Sequence, residues 1–434
     1  MSTSGIKGSK DDPTAGRQID RNKNLLTNVV QSITKLSNLI MTVENFQDSK
    51  LDSFRKTFDD LIPKLNTEIN EVHQEATNEI FLSGDADMSD VLKKLDHLEE
   101  KYNGLEKVSL KYQSWQEVLQ INQTPFENLD QLRDELRIRA DMWRALSTWE
   151  DKQQEWVKLQ FSKIDAKGIS DEADKYAKVA NRVDKALPPN PIGEKLKLLV
   201  DTFRGTMPVV TALRNKDIED SHLQEIKDLL QTEFDKDDPG FTLNSLIEMN
   251  VVQFQEEIQL ISTQASQEAS LRRQINALDE QWRKIDLITK PYKEGEVNVL
   301  DEIEDVFAAL DDSLATINTI LGSRFVKPLR AEAEGWKKTL FTLNQVIEEW
   351  VVCQKQWIYL ENIFKGPDIK KQLPTESQKF EKVDQFFKAL MGKTKKSPNA
   401  IKTLKLHSNL LEQLKANNEL LDDIQKKLED YLEK

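Results

Sequence analysis

Residues 336–380 read WKKTLFTLNQVIEEWVVCQKQWIYLENIFKGPDIKKQLPTESQKF. Trp336, Leu340, Leu343, Ile347, Trp350 and Trp357 follow one another by threes, fours and one seven, with Gln354 in the one polar slot. That spacing places all of them on one face of a long α-helix. Gly366-Pro367 then stops it. Three indoles on one stripe carry more apolar area than a surface helix needs. The helix is therefore expected to lie buried among other helices, or to stiffen a mechanical element. Leu360, Phe364, Asp368 and Pro374 extend the same block.

Composition agrees with an all-helical chain. Gly and Pro number only 14 and 13 in 434 residues, so chain breakers are scarce, and 31 % of residues are charged. Length allows two to four domains. The modest apolar fraction, 38 %, favours elongated helical bundles in tandem over one thick core. No run of 18 apolar residues suggests a membrane helix, and the N-terminus has no apolar signal region. The net charge of −14 speaks against general nucleic-acid binding.

Along the chain, residues 1–24 are polar and punctuated by Gly and Pro, and are expected to be disordered. Residues 25–124 are expected to form a helical bundle. Its first helix carries Leu25, Leu26, Val29, Val30, Ile33, Leu36, Leu39, Ile40 and Val43, and continues past Pro63 or restarts there. Ser89 is the expected N-cap of the next helix, and Thr124-Pro125 the expected opening of another. From about 125 to 434 the pattern changes. Leu132, Leu136, Trp143, Leu146, Trp149 and Trp156 make a second indole-bearing stripe. Residues 187–193 read as a rigid break, 207–215 as a turn, and 392–399 as a basic loop. Helices are expected over 261–290, 297–325 and 329–364.

Several irregularly spaced positions in this region form a recognisable pattern. Trp336, Leu340, Leu343, Ile347, Trp350, Gln354, Trp357, Leu360, Glu361, Ile363 and Phe364 are followed by Asp368, Ile369, Leu373, Pro374, Glu376, Phe380, Val383 and Asp384. Earlier positions join them: Trp143, Leu146, Trp149, Trp156, Pro191, Phe203, Pro208, Leu213, Arg214, Asn215 and Trp282. Together they resemble the linker region of dynein heavy chains, most closely the axonemal ones. Asn362 and Phe387 depart from the family pattern. So do Ser221 and Leu223, which flank His222 where the family has an Arg-His-Trp triplet.

The resemblance implies a tail end followed by a linker-like rod, a non-catalytic element that transmits force between an AAA+ ring and the tail of a microtubule motor. It implies that ring as partner, with intermediate or light chains possible and microtubules met only indirectly. It implies a cytoskeletal, axonemal location and a chain truncated within its linker. Trp143, Trp149, Trp156, Trp282, Trp336, Trp350, Trp357, Leu360, Phe364, Asp368 and Pro374 are the force-bearing candidates. The competing expectation is a free-standing helical scaffold or tether.

No chemistry is expected of the chain. Gly392-Lys393-Thr394 lacks the upstream glycine and strand of a phosphate loop; Phe387 stands at that glycine position. His73, His97, His222 and His407 have no metal-ligand spacing, and Cys353 is near none of them in sequence. No catalytic residue, cofactor, metal or membrane contact is anticipated.

Overall fold

The computed structural model describes residues 13–433. Among them are fourteen α-helices, a few 3-10 turns and one two-stranded sheet. The fold is all-α. The chain divides into two compact units. One holds the described residues up to Met207 together with Thr242–Asn244. The other holds Pro208–Phe241 and the described residues from Ser245 onward.

The first helices are α1 (Pro13–Ala76), α2 (Met88–Val118), α3 (Glu127–Trp156), α4 (Ala166–Ala186) and α5 (Pro191–Leu213). Residues 13–24, expected to be disordered, belong to α1; residues 1–12 lie outside the described residues. α1 continues through Pro63, which removes one helical N–H without ending the helix. α2 runs back along α1. Lys101 Nζ donates to Glu75 Oε2 at 2.8 Å, and the rings of Tyr112 and Phe58 lie 6.2 Å apart.

Phe58, Leu65, Ile69, Val72 and Ala76 of α1 are buried with Val91, Leu95, Leu98 and Leu105 of α2 and Leu129, Leu132 and Leu136 of α3. These positions repeat at helical spacing, so each helix turns one stripe inward. α2 and α3, on either side of residue 125, pack against each other within one unit.

Three local expectations fail for identifiable reasons. Asp87, not Ser89, caps α2, its carboxylate accepting from the Asp90 N–H at 3.0 Å. Thr124 does not cap α3. Its N–H donates to Gln116 Oε1 and its hydroxyl accepts from Gln116 Nε2, both at 2.8 Å. The turn expected at 207–215 is mostly helix, because α5 runs through Pro208 to Leu213.

The remaining elements are α6 (Asp220–Leu230), α7 (Leu243–Glu248), α8 (Gln255–Trp282), β1 (Ile288–Tyr292), β2 (Val297–Asp301), α9 (Ile303–Gly322), α10 (Arg330–Phe364), α11 (Pro367–Gln372), α12 (Pro374–Lys396), α13 (Ala400–Leu406) and α14 (Leu410–Leu432). The hairpin replaces the helix ends expected at 290 and 297. It is antiparallel, with Ile288 opposite Asp301 and Tyr292 opposite Val297. Gly295 turns the chain at φ +87°, a conformation open to glycine. Val297, Val299 and Thr289 favour a strand over a helix. α12 extends to Lys396, so the expected basic loop is largely helical.

Candidate force-bearing core

α10 is the axis of the second unit. Leu340, Leu343, Ile347, Trp350, Cys353, Trp357, Leu360 and Phe364 are all buried in one continuous cluster with residues of α8, α9, α12 and α14. Trp357 is held on three sides. Its indole N–H donates to Asp384 Oδ1 at 2.9 Å, its ring stacks on Phe387 at 4.5 Å, and Tyr292 meets it edge-on at 5.3 Å. Seven residues on, Phe364 stacks on Phe380 at 5.3 Å. Phe387, a departure from the family pattern, therefore completes the Trp357 site.

Trp350 is fully buried, and its indole N–H has no hydrogen-bond partner. An unsatisfied buried donor costs about 1–3 kcal/mol. Its retention therefore rests on the ring's shape and area.

Gln354, the polar interruption of the stripe, bonds the hairpin. Its Oε1 accepts from the Leu300 N–H at 2.7 Å, and its Nε2 donates to the Leu300 carbonyl at 3.0 Å. Spacing alone marked the slot; only the hairpin explains it. Beside it, Glu361 receives Lys293 and Lys365. Burial pushes the Glu361 carboxyl upward, but those two ammonium groups outweigh burial and hold it below its ordinary value.

Trp282 closes the other end of this core. Its indole donates to Ser313 Oγ at 2.9 Å, and its carbonyl accepts from Asn399 Nδ2 at 3.0 Å.

Three candidates lie elsewhere than expected. Trp336 is only half-buried, packed at the margin of the cluster. Asp368 and Pro374 are exposed. They sit in the first turns of α11 and α12, where an acidic side chain and a proline suit helix starts. Neither belongs to the packed core.

The first unit has its own indole cluster. Trp143 is buried and donates to the Phe81 carbonyl at 2.8 Å. Trp149 is fully buried and meets Trp156, Tyr176 and Phe203 edge-to-face, with centroids 5.2–5.5 Å apart. Such pairs add about 0.5–1.5 kcal/mol beyond area burial. Trp156 is half-buried, with Lys152 Nζ 6.0 Å from its ring centroid.

His222 is a buried strut. Its Nδ1 accepts from the Glu219 N–H at 3.1 Å, capping α6, so Nε2 carries the proton toward Glu268 Oε2 at 2.8 Å on α8. Asn215 fastens the same loop, its Nδ2 donating to Ser262 and Ser266 of α8. Nothing in the sequence paired these positions.

Gly392, Lys393 and Thr394 lie inside α12, and the Thr394 hydroxyl donates to the Leu390 carbonyl. Burial pushes the Cys353 thiol up to about 12, with Glu349 adding to the shift. Among the described residues no cluster of His, Cys, Asp and Glu could hold a metal. None of the described helices is long and apolar enough to cross a membrane.

Comparison with known proteins gives a consistent result. Residues 129–434 match the family described as dynein heavy chain, N-terminal region 2. The chain is 34 % identical over 403 residues to human dynein axonemal heavy chain 6, covering 93 % of this chain and 10 % of that one. It is 33 % identical over 318 residues to human dynein axonemal heavy chain 2, covering 73 % of this chain and 7 % of that one. A relative described as the dynein-1-beta heavy chain of the flagellar inner arm I1 complex, from Chlamydomonas reinhardtii, is 27 % identical over 88 % of this chain and 8 % of its own length. The chain thus spans about a tenth of the length of these relatives.

Proposed function

The chain belongs to the dynein heavy chain family, within its axonemal branch and N-terminal region 2, and from that premise we propose that it is a non-catalytic, force-transmitting linker segment of a microtubule motor. The carrying observation is α10. It is a 35-residue helix whose Trp357 is clamped by α12 and the hairpin and whose Phe364 stacks on α12. Stiffness is a property of close packing, because a dense core leaves no room for gradual deformation. A helix gripped along its length passes on displacement instead of absorbing it.

In this reading the motion comes from an AAA+ ATPase ring in another part of the heavy chain, and this segment couples it to the tail. Intermediate or light chains meet the tail side, microtubules are met only indirectly, and the site of action is the axoneme of a cilium or flagellum. Residues before about 125 are the tail end, and those after it the linker. Trp143, Trp149, Trp282, Trp350, Trp357, Leu360 and Phe364 are the stiffening residues.

The test is Trp357→Ala in a complete heavy chain of this type. The expected result is retained ATP turnover with slower microtubule gliding. Gliding at the wild-type speed, or equal loss of both activities, would overturn the reading and favour a passive scaffold.

A further inference from the structure

Residues 385–411 hold six lysines and no aspartate or glutamate, in a chain where acidic residues outnumber basic ones by 75 to 61. Lys388 is taken up by Asp384 at 2.7 Å. The other five are Lys393, Lys395 and Lys396 at the end of α12 and Lys402 and Lys405 on α13. All five are exposed, and none has a carboxylate within ion-pair distance among the described residues.

The fold gathers them at one rigid corner. Asn399, between the two helices, donates from Nδ2 to the carbonyls of Trp282, Arg283 and Ile285 at 3.0–3.2 Å. Its Oδ1 accepts from the Lys402 N–H at 3.0 Å. On either side, the Leu287 N–H donates to the Pro398 carbonyl at 2.7 Å and the Ala400 N–H to the Ile285 carbonyl at 3.0 Å. Burial holds the His407 imidazole below its ordinary value, and the Lys393 ammonium adds to the shift. The end of α12 and the end of α13 therefore share one surface.

We propose that this corner is a docking surface for an acidic segment, rich in glutamate or aspartate, of a partner protein.

Helix stability does not explain the lysines. Cations in the last turn of α12 suit that helix's dipole, but Lys402 lies in the first turn of α13, where a positive charge opposes it. Nor does the surrounding chain neutralise them. A backbone bridge brings Asp286 to Asn399, yet Asp286 is exposed and pairs with none of the five. Like charges held together repel one another, and an anion laid across them relieves that repulsion.

The chemistry of the corner selects the anion. Lysine is a point charge on a flexible stem, suited to a run of carboxylates with no fixed geometry. Residues 385–411 contain no arginine to grip a phosphate with two parallel bonds. They present no exposed aromatic ring on which a base could stack. Leu406, 55 % exposed, gives one apolar contact for a peptide side chain but too little area to hold a membrane. The chain as a whole carries −14, so a thin flexible strand reaches the corner with less repulsion than a rigid polyanion. This surface lies apart from the α10 core on which the linker reading rests, so either can fail without the other.

The experiment titrates a fluorescein-labelled oligoglutamate of about twenty residues with the purified chain, read by anisotropy at physiological ionic strength. Saturable binding is expected, and it should vanish near 1 M salt, where the screening length falls to about 3 Å. The combined substitution Lys395→Glu, Lys396→Glu, Lys402→Glu and Lys405→Glu should weaken binding on the order of 100-fold. The control Lys93→Glu, Lys94→Glu, Lys107→Glu and Lys167→Glu alters four other exposed lysines and changes net charge equally. It should bind within about threefold of the parent chain. All eight side chains are exposed, so both variants should keep the parent's circular dichroism. The milder pair Lys402→Gln and Lys405→Gln should still weaken binding about fivefold. The proposal is overturned by a parent chain that does not bind, or by equal weakening in the control. Tighter binding of an oligothymidylate of the same length, or of phosphatidylserine vesicles, than of oligoglutamate also overturns it.

Discussion

α1 and α10 are both long helices with one apolar stripe, yet their surroundings differ completely. Between Leu340 and Phe364, α10 buries its stripe against neighbours that include α9, α12, α14 and the hairpin. The first two-thirds of α1 bury nothing. The stripes differ in side-chain kind. Among its Leu and Ile positions α10 sets Trp357 and Phe364 on particular aromatic neighbours, whereas the overhang of α1 is mostly Leu, Ile and Val, with Phe46 and Phe54 only near its end. Aromatic groups carry directional contacts and one polar handle; aliphatic groups carry area alone. The pattern therefore shows that a face is to be covered, and the aromatic content shows how particular the cover must be.

The largest effect should come from cutting into α10. Trp350→Ala should destabilise the second unit by about 3–5 kcal/mol through lost transfer energy and a cavity, measured by denaturant unfolding. Trp350→Phe should cost clearly less, because the indole N–H makes no bond that could be lost. If the two variants cost the same, the ring's area is not what holds the site.

Gln354→Leu comes next. It strips partners from both polar groups of buried Leu300 and should cost about 1–3 kcal/mol, with the hairpin amides exchanging faster. Unchanged exchange would mean the hairpin stands without α10.

The pH effect is smaller. Glu361 has a folded-state value below its ordinary 4.5, so its contribution is present above that pH and is lost as pH falls through the lowered value. The hairpin should loosen below about pH 4.5, and Glu361→Gln should flatten that dependence. A dependence that survives Glu361→Gln would assign it to other carboxylates.

The smallest effect belongs to α1. Leu36→Ala should shift unfolding of a dilute sample by less than about 0.5 kcal/mol, since Leu36 is exposed within the chain. A loss comparable to that of Trp350→Ala would erase the contrast between the two helices.

Much of this was legible beforehand, because helical period and side-chain bulk are local properties. The α10 stripe, its end at Gly366-Pro367 and the burial of Trp143, Trp149, Trp350 and Trp357 follow from spacing, and the all-α class from spacing with the scarcity of Gly and Pro. The hairpin at 288–301 was not legible, although Gly295 and the alternation through Val297 and Val299 were signals. Two five-residue strands are too short to stand out against long helices on both sides. Nor could spacing separate Trp336 from Trp350, which share one face; exposure depends on where the neighbouring helices begin. Cap positions failed at Ser89 and Thr124 because Asp87 caps the helix two residues earlier and Gln116 engages Thr124.

The sequence by itself determined which faces are apolar, where the helices run and which family the chain resembles, since each is written in residue order. Only the tertiary structure decided that Gln354 holds Leu300, that Trp357 rests on Phe387 and Asp384, that His222 ties α6 to α8, and that α1 buries its stripe only from Phe58 onward. Those pairings join residues 27–54 positions apart along the chain. At that separation a periodic pattern states that a partner is needed, and packing alone selects which residue it is.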